Sequence, residues 1–257
     1  MARPNRRSRL PNKSRQVGRN LRLQPQVVLA GLFDEDIEGW RGIPQSIIVD
    51  QFLDADKSPE GGFLIAPTFA HPIAVASLLP GFGADHRRLL DAYPRLGLAA
   101  VVLHDRSSGS VELDGNGRAI VSYQLGDEDR LELTDGMRRL ADVYFAAGAR
   151  RVVLPFNDLA ELSRRGDYRL IEERAVRAND PLLHSFQPQG SLRMGNSRRR
   201  SVVNSVGEAH QVSGLFVADA SVFPSAVAVP PQLSVMAFAD RTARYIADNH
   251  ERYFAAA

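Results

Sequence analysis

The sequence contains no cysteine, which excludes disulfides, thiolate metal sites and a cysteine nucleophile together. No apolar run approaches the ~18 residues a membrane span needs, and the first residues lack the apolar stretch of an ordinary secretory signal. The cytoplasm is therefore the expected compartment. No Gly-x-Gly-x-x-Gly turn follows a strand-like run. Gly81-Phe82-Gly83 and Gly115-Asn116-Gly117 both lack the third glycine, so no turn lets the backbone approach a pyrophosphate as a dinucleotide-binding βαβ unit does. The opening MARPNRRSRLPNKSR lacks acid altogether, yet it carries Arg3, Arg6, Arg7, Arg9, Lys13 and Arg15. Such an arm is either a solvated leader or a contact to nucleic acid or an anionic membrane. Without interleaved aromatics or a nucleic-acid-binding fold, a solvated leader is the expectation and nucleic acid is not an expected partner. Neither a metal nor a membrane span is expected.

What is present suits a soluble globular chain. Hydrophobic residues make up 44% and charged residues 24% of 257, with a net charge of +2. That length supports one large domain or two modest ones. Ile47 to Leu53 and Gly62 to Ala66 read as strands, being rich in β-branched residues and bounded by Pro, Gly and Asp. Gly83 to Leu96 reads as a helix with Leu89 and Leu90 inward, stopped near Pro94. Leu98 to His104 is a strongly apolar strand. Gly109 to Leu113 and Arg118 to Leu125 are set to pair across Asp114-Gly115-Asn116-Gly117, where Asn and Gly tolerate positive φ. From Leu131 to Ala147, Leu133, Met137, Leu140, Val143, Tyr144 and Ala147 recur at helical spacing, with Gly148 as the stop. A short strand, Arg151 to Leu154, precedes a polar segment (156–180) of loop and short helix. Near the C-terminus, Leu215 to Ala218 reads as a buried strand. It leads through a polar turn and a Pro-punctuated loop to a helix opened by Pro230-Pro231, an order that aims free backbone N–H groups at an electron-rich ligand. Consecutive strands mixed with helices give an α+β class with a mixed, largely antiparallel sheet rather than a regular βαβ array.

These segments, in this order, resemble the later half of the glucose–methanol–choline (GMC) oxidoreductases. The resemblance is carried by VGRNLRLQP at 17–25 (with Gln24 where the family commonly has His), HDRSSGSVELDGNGRAIVSYQL at 104–125, the helix ending AAGARRV, HSFQPQGSLRMG at 184–195 and SVVNSVGEAHQVSGLFVADASVFP at 201–224. It implies three parts: a basic leader (1–16), a substrate-binding domain (17–186), and a segment (187–257) whose strand, loop and helix complete a FAD-binding domain. The Rossmann half of that domain lies outside the sequence. It also implies an alcohol substrate of hydrophobic character and FAD as cofactor, and the chain then reads as a truncated gene product, a half whose N-terminal FAD-binding partner is a separate chain, or a mis-started reading frame. A chain with only one wall of the cofactor site would be weakly active or inactive alone. The alternative is a non-catalytic binding or regulatory relic of the same fold.

In that family, hydride passes from an alcohol carbon to the flavin while a His-centred base takes the hydroxyl proton. A positioned base contributes about 10²–10⁴-fold. The position implied for the base is Gln187, whose amide can hydrogen-bond a hydroxyl but cannot take its proton at pH 7. The second catalytic position, an Asn or His in the family, is Pro230, which has no polar side-chain atom. His184 is the candidate substitute base; the competing reading is a histidine satisfied by backbone at a loop edge. His71, His86, His104 and His210 are weaker candidates. The resemblance assigns flavin contacts to Asp219 and Ala220 and to the helix start at Pro231, Gln232 and Leu233. Arg193 and Met194 are expected to brace the turn. Phe63, Phe69, Phe82 and Phe186 hint at an apolar pocket.

Overall fold

The computed structural model describes residues 11–43, 45–53, 60–68 and 71–254. The strands in chain order are β1 (Arg19–Leu21), β2 (Gln26–Leu32), β3 (Phe63–Pro67), β4 (Leu96–Leu103), β5 (Gly109–Leu113), β6 (Ala119–Ser122), β7 (Arg151–Leu154) and β8 (Ala160–Leu162). The helices are α1 (Pro72–Leu78), α2 (Ala84–Asp91), α3 (Asp127–Ala146), α4 (Arg169–Arg174), α5 (Gln232–Asp248) and α6 (His250–Phe254). They form two compact units. One takes in the described residues up to Arg22, Ser108–Gln124 and the chain from Gln187 onward; the other is Leu23–Ser107 with Leu125–Phe186. These units cut across a linear division at 186/187, because the start of the chain and the β5–β6 hairpin group with the C-terminal part.

The second unit is built on an antiparallel sheet of order β3-β4-β2-β7-β8. Alternation along β2 sends Val27 and Leu29 to one face, with Ile65, Val101 and Leu154, where α3 covers them through Leu133, Met137, Leu140 and Tyr144. Val28 and Ala30 face the other way, toward Val75 and Leu78 of α1 and Leu89 of α2. A sheet covered on both faces needs apolar residues at every position, which is why the β4 run LGLAAVVL does not alternate with polar residues. The helix α3 approaches β4 closely at Gly136, where a Cβ would lie 2.4 Å from Val101 Cγ1.

Several expectations need correction here. Ile47 to Leu53 is not a strand but makes two isolated bridges, Val49–Ile65 and Leu53–Gly62. A turn closed by Leu53 N–H donating to Asp50 O (3.0 Å) breaks the ladder between them. The helix α3 starts at Asp127, where the acids of its first turn, Asp127, Glu128 and Asp129, suit the positive end of the helix dipole. Val143 and Ala147 are exposed at the rim of its stripe, while Ala141 is buried. The polar segment after Phe156 hides a short strand, β8. In the hairpin turn only Gly117 has a positive φ (81°). Asp114 does the work assigned to Asn116, its carboxylate accepting the N–H groups of Asn116 and Arg118 at 2.8 Å each.

In the first unit, β1, β5 and β6 make a small antiparallel sheet. The run Leu215 to Ala218 is neither a strand nor buried: one bridge, Glu208–Phe216, pairs it, and Leu215 is 36% exposed. Its apolar side chains pack irregularly instead, the Phe216 ring lying 5.3 Å from that of Tyr253. The helix α5 does begin where Pro230-Pro231 indicated, with Pro231 at its N-cap. Val235 and Phe238 pack on a core of Val203, Val222 and Phe223, whereas Ala243 is exposed.

Candidate functional site

The GSLRM run and the loop after Asp219 lie side by side. Gly190 N–H donates to Ala220 O (3.1 Å), Leu192 N–H to Ser221 O (2.8 Å) and Met194 N–H to Val222 O (2.7 Å). Gly190 adopts φ +82°, and a Cβ there would lie 2.5 Å from Asn20 O, so the turn that starts this pairing requires glycine. The Asp219 carboxylate accepts Ser221 N–H at 2.8 Å and opens a short 3₁₀ turn, Ala220–Val222. Asp219 is exposed and Ala220 half-buried. Arg193 braces the run, donating to Gln16 Oε1 (3.0 Å) and Arg200 O (2.8 Å).

Gln187 is half-buried just before this run, and its carbonyl oxygen faces Gln189 Nε2 at 3.5 Å. Pro230 is exposed; Pro231 is buried; Gln232 and Leu233 are exposed at the start of α5. The first bond within α5 is Val235 N–H to Pro231 O (2.8 Å). The N–H groups of Gln232, Leu233 and Ser234 therefore precede the intrahelical ladder and point out of the helix start. Seven of the eight positions named from sequence thus fall in the first unit.

The eighth, His184, belongs to the second unit. Its backbone pairs with Gln26 through two 2.9 Å bonds, and its ring stacks on Phe186 with centroids 6.2 Å apart and planes 2° apart. The imidazole is half-buried, and its Nε2 is buried with no hydrogen-bond partner among the described residues. Burial holds its pKa below the ordinary histidine value, so the ring is neutral at pH 7. Every other histidine considered from sequence already has local work. His71 Nδ1 caps α1 by accepting Ile73 N–H (3.4 Å), and His86 Nδ1 lies 3.3 Å from Pro80 O. His104 is buried, and His210 Nε2 lies 2.9 Å from Gly195 O.

Sequence reasoning missed Asn20 and Gln189, two side chains that hold this region together. Asn20 Nδ2 donates to Pro224 O (3.0 Å), and Gln189 Oε1 accepts Val227 N–H (3.1 Å), which ties the loop before α5 to the GSLRM run. An amide inside each matched segment was the available signal. The apolar pocket suggested by four phenylalanines is not where they are. Phe63 is core, stacked on Phe52 with centroids 5.0 Å apart; Phe82 is 95% and Phe186 67% exposed; Phe69 lies outside the described residues. An apolar hollow of about 420 Å³ in the second unit is lined instead by residues including Phe33, Ile37, Ile43, Ile47, Val143 and Tyr144, none of them a candidate site residue. Among the described residues no His, Asp and Glu group is arranged to hold a metal ion, and no helix is long and apolar enough to cross a membrane.

The family model described as GMC oxidoreductase matches residues 105–239. An uncharacterised GMC-type oxidoreductase of Mycobacterium tuberculosis is 35% identical over 231 residues, covering 87% of this chain and 34% of the relative. A long-chain-alcohol oxidase of Arabidopsis thaliana is 28% identical over 243 residues, covering 88% and 33% respectively. Among solved structures, a formate oxidase of Aspergillus oryzae examined for its FAD modification superposes with a TM-score of 0.66 at 20% identity, over 94% of this chain and 49% of that one. Pyridoxine 4-oxidase from Mesorbium loti gives 0.63 at 20% identity, over 91% and 44%. The chain thus spans about a third of these curated relatives and less than half of the solved chains.

Proposed function

Because this chain belongs to the GMC oxidoreductase family, we propose that it is the C-terminal portion of a FAD-dependent alcohol oxidoreductase, contributing the substrate domain and one wall of the flavin site. The observation that carries this reading is the start of α5, where three unladdered N–H groups (Gln232, Leu233, Ser234) share one loop system with Asp219 and the GSLRM run. That donor set fits one electron-rich edge of a flavin ring, since a helix N-terminus favours negative charge. Nothing in the sequence supplies a glycine turn for the pyrophosphate, so the residues fit an edge of FAD and do not enclose it. The bound flavin would supply the acceptor for the hydride of a CH–OH carbon.

The chain's own residues divide the remaining tasks. Gln187 can orient a hydroxyl but not take its proton. Pro230 can do neither. His184, neutral at pH 7, carries an imidazole of the kind that can accept such a proton. The relatives named for long-chain alcohols favour a hydrophobic alcohol as substrate. A second reading, a non-catalytic relic, is favoured specifically by the paired substitutions at 187 and 230.

The test is an absorption spectrum of the purified chain with excess FAD, alone and after adding the N-terminal part of the Mycobacterium relative. A protein-perturbed flavin band only in the presence of that part, bleached by a long-chain alcohol, is the expected result. A perturbed band with the chain alone would contradict the one-wall reading. A band that no alcohol bleaches would favour the relic.

A further inference from the structure

We infer that the first unit carries a separate binding site for a compact, multiply charged phosphate compound, in a hollow of about 660 Å³ lined by residues including Lys13, Ser14, Arg198, Arg199, His210 and Gln211. None of the flavin-edge positions lines it. Its two basic walls are held in place rather than trailing in solvent. Lys13 N–H donates to Gln211 Oε1 (2.8 Å), Gly18 N–H to Ser191 O (2.9 Å) and Arg193 Nη2 to Gln16 Oε1 (3.0 Å), which stitches residues 13–18 along the loop that follows Gly190. The arginine triplet rides on a turn closed by Arg200 and Ser201 N–H groups on Ser197 O (3.0 and 2.9 Å). The buried Ser201 hydroxyl donates to the same oxygen at 2.7 Å.

Charge is what sets this hollow apart. Elsewhere in the unit some cations meet acids, as in Arg19–Glu112 (3.3 Å) and Arg244–Asp240 (2.8 Å), and among the described residues no other hollow there gathers several without one. Lys13, Arg15, Arg198, Arg199 and Arg200 make no ion pair with any described residue, and no carboxylate lines the hollow. Like charges gathered this way repel one another, and a bound anion removes that repulsion. Two guanidinium forks and an ammonium match phosphate oxygens better than a single carboxylate. The walls are concave, which suits a compact polyphosphate better than the flat face of a bilayer. They carry no Phe, Tyr or Trp on which the bases of a single strand would stack.

The probe is inorganic tripolyphosphate, titrated calorimetrically into the purified chain at low salt, with sulfate, single-stranded oligonucleotide and phosphatidylglycerol vesicles as parallel arms. Tripolyphosphate should bind more tightly than sulfate. Arg198→Ser with Arg199→Ser should weaken it by at least about tenfold, since charge-assisted bonds are lost. The exposed Arg87→Ser of α2 should leave it unchanged. All three side chains are exposed, and equal melting temperatures would show that the variants fold. Absence of tripolyphosphate binding, or equal loss with Arg87→Ser, would overturn the site. Oligonucleotide or vesicles binding more tightly than tripolyphosphate would also overturn it, in favour of an extended polyanion on the same basic surface.

Discussion

Replacing Gly136 with alanine sets two effects of opposite sign against each other. In the middle of α3, alanine is intrinsically better than glycine by about 0.8–1.0 kcal/mol. Packing opposes it. The new Cβ would lie 2.4 Å from Val101 Cγ1 and 3.3 and 3.4 Å from the Phe63 ring. Val101 is fully buried, β-branched and stiff at χ1, and sits in β4 between β3 and β2. It has no room to rotate, so α3 must lift or the sheet must bend. Overpacking of this kind costs about 1–3 kcal/mol, and with neighbours pinned on both sides the upper part of that range applies. The net destabilisation should be about 1–2 kcal/mol, or a fall of roughly 2–8 °C in Tm for a chain of this size. Thermal unfolding followed by circular dichroism reads it directly. The companion variant Val101→Ala removes the clashing methyl, so Gly136→Ala should become neutral or stabilising in that background. A rise in Tm for the single variant, or the same cost in both backgrounds, would show that helix propensity outweighs close packing here.

Four further outcomes are expected. Burial lowers the His184 pKa, so below about 6.5 the unfolded chain takes up a proton that the folded chain resists; stability should fall as pH drops through that window. His184→Gln should flatten the fall in urea midpoints measured at pH 5.5 and 7.5, and an unchanged slope would remove His184 as its cause. The buried Asp129 carboxylate accepts the N–H groups of Arg106 (3.1 Å) and Ser107 (2.8 Å). Asp129→Ala should cost about 2–3 kcal/mol in denaturant unfolding, and a change under 1 kcal/mol would mean that water replaces it freely. Gly190→Ala combines a left-handed φ with a collision on Asn20 O; it should open the GSLRM run to limited proteolysis, while wild-type-like resistance would contradict the requirement for glycine. With the N-terminal part supplied, Gln187→His plus Pro230→Asn should raise alcohol-dependent flavin reduction by about 10²–10⁴-fold, and no gain would dismiss these as the two lost catalytic positions.

The second unit was the more legible from sequence, for a physical reason. The partners of β4 and α3 lie within the described residues, so the apolar run from Leu98 and the stripe Leu133, Met137, Leu140 and Tyr144 report contacts the chain itself makes. Where the pattern failed, it reported apolarity correctly and geometry wrongly. Ile47 to Leu53 has a strand's composition, yet the turn at Asp50 leaves it only two bridges. The four phenylalanines illustrate the same limit, since a ring in the core, such as Phe63, and one in water, such as Phe82, carry the same letter. The site positions came from the order of the matched segments. Gln189 and Asn20 escaped notice because an amide that ties two loops looks, in sequence, like any other surface amide.

The helix α5 shows why the first unit reads differently. A helix on the surface of a self-sufficient domain turns a polar face to water along its whole length. The outer face of α5 does so only toward its C-terminal end, where Asp240, Arg244 and Asp248 are exposed and Arg244 pairs with Asp240 at 2.8 Å. At its start the outer face is apolar, with Leu233 81% and Met236 60% exposed. The same first turn holds the N–H groups that lack intrahelical acceptors. Water satisfies amides but gains nothing from leucine and methionine, whereas a flavin-bearing partner half would satisfy both, burying the apolar side chains at roughly 25 cal/mol per Å². The Leu215 to Ala218 run fits the same account, being strand-like in composition yet paired here through a single bridge. Both features lie in the first unit, so a single complementing half should change both. Protection of the Leu233 and Ser234 amides from hydrogen exchange should appear together with new protection between 215 and 218. Protection of one without the other would separate the helix start from the strand and undo the argument that they serve one interface.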